Sequence, residues 1–529
     1  MTVNARHVHG RRLEWIMAMA IVAIPLGFGG ASAQTRAKAP PQADNSWYKD
    51  GRAWLAKARN QSAIRRPARN LILFIGDGMS ATTVTAARIY AGQQAGRSGE
   101  GNLLSFETFP NLALAKTYST DMQTPDSAAT ATALLTGVKT RNGVIGLTER
   151  ARRGDCASAN DATARTLLEL AEAAGMATGV VTNTPVTHAT PAATYAHVPE
   201  RHWAVDSRIP KAERVKGCLD IARQLIEFPF GDGIDVVLGG GRSRFLPVPS
   251  SRASAAKGDA APIGLRTDGR DLTRVWLERF EGARVVTTAA GLARLDAHKA
   301  RHVLGLFAPV GMAFEADRRR TAPDQPSLSA MTAKAIELLS GRRQGFFLLV
   351  EGGEIDWAHH QGNAARALIE TVEFARAVRV ALSHTDGKET LIVVTADHSH
   401  TLTMAGYAVR GNPILGLVTT LNAAGKPVLA RALDGHPYPT LGYANGPGAV
   451  IDAQGHAVPR GATDAEALDF RQPAAVPLKS ETHGGDDVAV YALGPMAYLL
   501  RGVIEQNVVF HVMAAAAGLV PMPTGPSPE

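Results

Sequence analysis

At 529 residues and 55.8 kDa, with 45% hydrophobic and 20% charged residues, the composition is that of a folded globular protein and excludes a disordered or fibrous one. The length suits two or three ordinary domains or one large α/β domain with insertions. A formal net charge of +8 favours anionic partners, but the basic residues form no long run and no aromatic-basic ladder, so no nucleic-acid-binding module is expected.

The chain opens with Arg6, Arg11 and Arg12, an apolar run over 17–28 and the small-residue site Ala31-Ser32-Ala33. This order predicts a secretory signal peptide over 1–33 and export to the periplasm or the extracellular space. The run is short and is interrupted by Pro25 and Gly27, which argues against a membrane helix. Arg11-Arg12 leaves a twin-arginine export route open. Removing 1–33 lowers the net charge from +8 to +6. Residues 34–66 are polar, with a short helix expected near 54–59, and read as an arm leading into the fold.

Residues 69–80, RNLILFIGDGMS, place five apolar residues before Gly76-Asp77-Gly78. Such a run predicts a strand buried on both faces that ends in a carboxylate, and open α/β sheets build their sites at the carboxyl ends of strands. A helix is expected over 80–92 and a glycine-rich loop over 93–101. Pro125, Asp126 and Ser127 read as a helix start, with the serine either a cap or a nucleophile favoured by the helix N-terminus. Residues 161–175 predict a helix capped by Asp161. A strand over 177–182 follows, then Thr187, His188 and Thr190, with Arg201 beyond. A strand over 235–238 ends in Gly239-Gly240-Gly241, which reads as close backbone packing.

Residues 246–263 are expected to form a loop, 272–311 a helix with short strands, and 329–339 a helix. A buried strand over 346–351 ends in Glu351, with Asp356, Trp357 and His360 just after it. Residues 363–382 carry helical spacing. A third buried strand, 391–397, ends in Asp397, followed by His398 and His400. From 402 to 480 the chain turns rich in Gly and Pro, as an inserted subdomain of small strands would. Glu481-Thr482-His483 then leads into a strand over 488–493 and a helix over 506–517. No internal repeat and no transmembrane span is read in the mature chain. Cys156 and Cys218, in an oxidising compartment after export, form one disulfide or remain two buried thiols.

Three strands ending in Asp77, Glu351 and Asp397 would gather carboxylates at one sheet edge. Like charges at that range repel, and a cation is the usual compensation. Asp356 and His360 at i and i+4 share one face of a helical turn, and mixed carboxylate-imidazole sets suit zinc. All-oxygen positions such as Asp77, Thr190 and Glu351 suit magnesium.

These motifs, in this order from Arg69 to Leu519, resemble the alkaline phosphatases, in an animal-like bacterial form. The resemblance implies a three-layer α/β fold with a large, mainly parallel central sheet. It implies a catalytic domain over 67–520, a crown-like insertion at the rim over 402–480, and a Pro-rich tail at 521–529. The implied activity is phosphate monoester hydrolysis of broad specificity through a covalent phosphoserine at Ser127, with two Zn2+ and one Mg2+. Asp356, His360 and His483 would hold the first zinc; Asp77, Asp397, His398 and, at rest, Ser127 would hold the second. Asp77, Thr190 and Glu351 would hold magnesium, with His188 behind them. Arg201 would clamp the phosphate, oriented by Asp126. His400 lies beside this set and receives no ligand role. The family also implies a homodimer acting on small phosphate monoesters, and a Cys156–Cys218 disulfide contributing about 4 kcal/mol by loop closure, less any strain.

Departures from the family pattern are specific. Trp357 stands where many animal members have His and some bacterial ones Lys, so neither the surrounding hydrogen-bond network nor the pH optimum carries over. Ala308 follows Phe307 where animal members have a Glu of an extra calcium site. The Pro-rich end lacks the hydrophobic tail of their lipid-anchor signal. A related phosphodiesterase or sulfatase is the alternative. A sulfatase would show Cys/Ser-x-Pro-x-Arg, which Ser127-Ala128-Ala129-Thr130-Ala131 is not, and a diesterase commonly has a threonine nucleophile without the Arg201 clamp. A non-catalytic phosphate-binding protein is disfavoured, because every expected catalytic position is filled.

Overall fold

The computed structural model describes residues 39–249, 264–451, 457–458 and 464–522. The predicted signal peptide and most of the 521–529 tail lie outside the described residues. Residues 39–61 belong to a unit of their own, a 3₁₀ turn Pro41–Asp44 and a helix Ser46–Arg59. That helix starts well before the expected Trp54, because the Asn45 side chain accepts from Trp47 N–H and caps its first turn.

In residues 62–529 the core is a ten-stranded sheet. Its strands include β1 (Asn70–Gly76), β2 (Asn111–Lys116), β3 (Ala177–Pro185), β4 (Val236–Gly240), β5 (Arg284–Val286), β6 (Val303–Leu306), β7 (Phe346–Gly352) and β8 (Thr390–Thr395). Two further strands, Val488–Leu493 and Gly502–Glu505, complete it. The order from one edge is Gly502–Glu505, β2, Val488–Leu493, β8, β1, β7, β3, β4, β6, β5. Val488–Leu493 runs antiparallel to both neighbours, and every other pairing in the sheet is parallel. The side chains of β7, β3 and β8 are buried along their whole length, as parallel strands covered by helices on both faces must be. The protein is therefore an α/β fold with a mixed, mostly parallel central sheet.

Four central neighbours, β8, β1, β7 and β3, run in one direction, so their carboxyl ends share one edge. Ile75 of β1 lies opposite Glu351 of β7, and Thr182 of β3 flanks Glu351 on the other side. The stretch after β8 leaves the sheet. Strand Ser399–His400 pairs antiparallel with His483–Gly484, while Leu402–Met404, Leu441–Gly446 and Ala474–Pro477 form a separate three-stranded sheet. A hairpin of Thr419–Leu421 with Pro427–Leu429 completes the small-strand region expected over 402–480. Cys156 and Cys218 are joined in a disulfide with Cα atoms 5.7 Å apart.

The helix expected from Asp161 begins later. It spans Leu167–Ala173, with Thr166 as cap and Glu169 bonded back to the Thr166 N–H, a reciprocal capping box. Glu172 lies in its last turn, where the helix dipole is unfavourable to negative charge, and it accepts from the Thr178 hydroxyl. Burial, with Asp235 and Asp232 adding repulsion, pushes its carboxyl up to about 9 despite the Thr178 bond. Because the folded value lies above the unfolded one, Glu172 favours folding fully only below the unfolded carboxylate range. That contribution is lost as pH rises towards about 9. Glu172→Gln keeps the Thr178 bond and removes the penalty. It is expected to add roughly 2–4 kcal/mol of unfolding free energy at pH 8 and little at pH 4. Urea melts at the two pH values measure it; equal gains at both would contradict the assignment.

Candidate active site

Pro125 and Asp126 stop the preceding loop, and helix Ser127–Thr136 starts at Ser127. Asp126 is the N-cap. Its Oδ1 accepts from Ala129 N–H at 3.1 Å, while Oδ2 accepts from Gly143 N–H at 2.9 Å and from Arg201 Nη1 at 3.0 Å. One carboxylate thus ends a helix and aims a guanidinium. Burial would raise Asp126, but Arg201 and the two backbone donors outweigh it and hold the carboxyl below its ordinary value. Ser127 is left in the first helical position with its hydroxyl buried at the sheet edge, free of any capping duty.

The Ser127 Oγ sits 3.1 Å from His398 Nε2 and 3.4 Å from Asp77 Oδ1. His398 Nε2 is in turn 3.2 Å from Asp77 Oδ1 and 3.3 Å from Asp397 Oδ2. Ser127 Oγ, Asp77 Oδ1 and Asp397 Oδ2 therefore surround His398 Nε2 at 3.1–3.3 Å, with Ser127 and Asp77 3.4 Å apart. Zinc with ligands at about 2.0–2.1 Å in a tetrahedron spaces them by about 3.3 Å, so this set fits that ion. All four residues are buried. Burial, then repulsion from Asp397, Asp356 and Glu351, raises the Asp77 carboxyl well above its usual range, and a bound cation would offset both effects.

A second set stands beside it, with the His398 and His483 rings stacked at 3.6 Å between centroids. His360 Nδ1 donates to Glu481 O at 2.6 Å and His483 Nδ1 donates to Pro125 O at 2.8 Å. A carbonyl only accepts, so each Nδ1 carries a proton, and in a neutral ring Nε2 then presents a lone pair. Those lone pairs face each other at 3.2 Å, and each lies 3.4 Å from Asp356 Oδ1. Three acceptors pointed at one another without a donor between them fit a zinc ion. Helix Glu354–His360 supplies Asp356 and His360 one turn apart, as the i, i+4 spacing implied.

The third set is marked by atoms that lack any hydrogen-bond partner: Asp77 Oδ2, Glu351 Oε1, Thr190 Oγ1 and His188 Nδ1, all buried. Glu351 Oε2 accepts from the Thr182 and Thr184 hydroxyls, the latter at 2.9 Å, which turns Oε1 towards Asp77 and His188. Orphaned oxygens of this kind fit a hard divalent cation such as magnesium. His188 Nε2 accepts from Arg201 Nη2 at 3.2 Å, and its Nδ1 stands 3.8 Å from Glu351 Oε1, too far for a direct bond. Trp357 meets the His188 ring edge-on with centroids 6.0 Å apart. Asp77, with one oxygen in the zinc set and the other here, is common to both.

Two buried residues of this site, His400 and Glu481, had no role in the sequence reading. His400 Nε2 lies 2.7 Å from Asp356 Oδ1 and Nδ1 lies 2.5 Å from Glu481 Oε2, so both ring nitrogens are taken and neither is a ligand atom. Burial would lower its pKa, but these two carboxylates raise it to about 10. The available signal was the His398-x-His400 spacing in extended chain, which puts both rings on one side. Gly78, at φ +70°, makes room: a Cβ there would fall 2.2 Å from the His400 ring. His400→Ala is expected to weaken the hold on the first cation by about 10–100-fold, because it frees the Asp356 carboxylate to swing. Chelator competition reads this directly, and an unchanged affinity would contradict it.

The alkaline phosphatase family model matches residues 68–519. The chain is 44% identical over 480 residues to the tissue-nonspecific alkaline phosphatase isozyme of Gallus gallus, covering 90% of this chain and 89% of the relative. It is 43% identical over 454 residues to the Homo sapiens isozyme, covering 85% and 84% of the two chains. Among solved structures, Thermus thermophilus alkaline phosphatase is similar with a TM-score of 0.61 and 25% identity, over 88% of this chain and 94% of that one. The alkaline phosphatase of the Antarctic bacterium TAB5 shares the fold at a TM-score of 0.56 and 23% identity, over 86% and 99%.

Proposed function

Since the chain belongs to the alkaline phosphatase family and is a phosphate monoester hydrolase, we propose that it acts through Ser127 as a covalent nucleophile, supported by two zinc ions and one magnesium. The observation that carries this reading is that Ser127 Oγ lies 3.1 Å from His398 Nε2 and 3.4 Å from Asp77 Oδ1, with Asp397 Oδ2 on the same His398 nitrogen at 3.3 Å. In it, Asp356, His360 and His483 hold the first zinc, Asp77, Asp397 and His398 the second, and Asp77, Thr190 and Glu351 the magnesium. Bound there, the ions would neutralise the phosphoryl charge, activate the serine hydroxyl and stabilise the departing alcohol oxygen.

The remaining work belongs to the chain. Arg201 receives two phosphoryl oxygens on its fork, held in place by Asp126 on Nη1 and by His188 on Nη2. The N-terminus of helix Ser127–Thr136 adds favourable potential for the dianion and for an ionised Ser127. Ser127 Oγ attacks phosphorus, the bond to the alcohol oxygen breaks, and the alcohol leaves with a proton. Water then attacks the phosphoserine, releasing phosphate and restoring the hydroxyl. These contacts fall on the phosphoryl group, so a broad range of alcohols follows. A catalytic domain over 67–520 with its rim at 402–480, and a homodimer, complete the proposal.

Export from a signal peptide over 1–33 to the periplasm or beyond is part of the same reading, supported by the Cys156–Cys218 disulfide. Among the described residues no helix is long and apolar enough to cross a membrane. Rates on p-nitrophenyl phosphate and bis-p-nitrophenyl phosphate test the reaction class. The monoester is expected to be preferred by orders of magnitude, and a preferred diester would sink the reading.

A further inference from the structure

The proposed reaction leaves a basic cleft unused. A cavity of about 390 Å³ is lined by His188 and Arg201, from the phosphate clamp, together with Thr187, Arg208, Arg244 and Val310. Arg208 ends the short turn Asp206–Arg208 with its side chain exposed. Arg244 ends the turn Arg242–Arg244, half-buried, and its Nη1 donates to the Thr187 hydroxyl beside His188.

Neither cation is neutralised among the described residues. Among the described residues no carboxylate lies within ion-pair distance of Arg208 or Arg244, and the acids nearby in the chain are committed elsewhere. Asp206 accepts from Thr267 N–H at 3.0 Å, Asp220 is paired with Arg266 at 2.9 Å, and Glu200 with Arg153 at 2.8 Å. Burial and then, past the opposing effect of Tyr195, the like charge of Arg208 pull the Arg244 guanidinium down to about 10. Among the described residues no acid stands between the two arginines that line this space, and the half-buried Arg244 carries the cost. Planar guanidinium forks of this kind match phosphate and carboxylate oxygens.

Resting on the phosphomonoesterase reading, we propose that this cleft is a second anion subsite: Arg208 and Arg244 bind a phosphoryl or carboxylate group carried by the same substrate molecule whose scissile phosphate sits on Arg201. Bisphosphates and phosphorylated acids are then preferred over monoesters of neutral alcohols. The preference arises in binding, since neither arginine reaches the reacting atoms in this reading.

The test compares matched pairs, alkanediol bisphosphates of increasing chain length against the alkyl monophosphates of the same length, on the metal-loaded enzyme. For at least one length kcat/KM is expected to favour the bisphosphate. In Arg208→Ala that ratio falls about tenfold, through KM, as loss of one charge-assisted contact implies. Arg208 lies on an exposed turn, so this variant keeps the question open to measurement even if Arg208→Ala/Arg244→Gln folds poorly. A ratio that is the same in wild type and Arg208→Ala at every length overturns the proposal. So does inhibition of the wild type by added sulfate that Arg208→Ala relieves while the ratio stays unchanged, which would mean that the cleft takes free anions only. A wild type that turns over neither member of any pair would instead overturn the phosphomonoesterase reading itself.

Discussion

Ser127→Ala is expected to lower kcat on the order of 10⁴-fold or more while leaving the melting temperature of the metal-free protein almost unchanged. The two halves of this expectation come from the same geometry. Asp126, and not Ser127, caps helix Ser127–Thr136, so the helix keeps its start when the hydroxyl is removed. The nearest hydroxyl on the same helix, Thr130, donates to Asp126 O at 3.1 Å and lies 3.3 Å from Asp397 Oδ2, one turn deeper. Acid-quenched labelling with radioactive phosphate separates nucleophilic from merely electrostatic roles: wild type retains label on Ser127 and the variant retains none. If the alanine variant kept both turnover and label, the covalent route through Ser127 would be wrong.

The legible parts of this fold are those where one physical demand dominates. β1, β7 and β8 are covered on both faces, so their sequences are largely apolar runs, and each run stops at or beside a carboxylate, Asp77, Glu351 or Asp397. β2 and Gly502–Glu505 went unread. Asn-Leu-Ala-Leu-Ala-Lys at the sheet margin leaves Leu112 and Leu114 exposed and carries no β-branched residue, so tertiary pairing and not propensity makes it a strand. The Asp161 start was misplaced although Thr166-x-x-Glu169 wrote the capping box plainly; a bridge from Thr163 to Leu147 keeps the preceding residues extended.

The same division holds within the site. Residues that would touch a cation come at strand ends and at i, i+4 spacing, both visible in one dimension. Residues that act on those residues do not. His400 gains its role from Asp356 and Glu481, which reach it from far along the chain, and Arg208 and Arg244 meet only because the turns that carry them line the same cleft. A missing counter-charge is a property of space and has no motif.

Asp77→Asn carries the other large expected effect, and it has opposite signs with and without metal. With ions present, the variant is expected to lose on the order of 10³-fold in activity and to bind both zinc at the serine set and magnesium weakly, because one side chain serves both. Oδ1 stands 3.2 Å from His398 Nε2 and 3.4 Å from Ser127 Oγ, whereas Oδ2 is buried without a partner towards Glu351. An amide offers one good acceptor and one donor in place of two anionic oxygens, so it cannot face both sets. Asp356→Asn, by contrast, changes an oxygen that meets His360, His483 and His400 and is expected to cost one zinc while magnesium is retained. Without ions the order reverses. Burial, then Asp397, Asp356 and Glu351, makes a charged Asp77 unfavourable, so its neutral replacement is expected to stabilise the stripped protein by about 1–3 kcal/mol. Activity assays and metal content after dialysis, together with melts in zinc and magnesium and in chelator, check these expectations. Retention of full magnesium by Asp77→Asn, or a lower melting temperature than wild type in chelator, would break the claim that this one carboxylate joins the two sites.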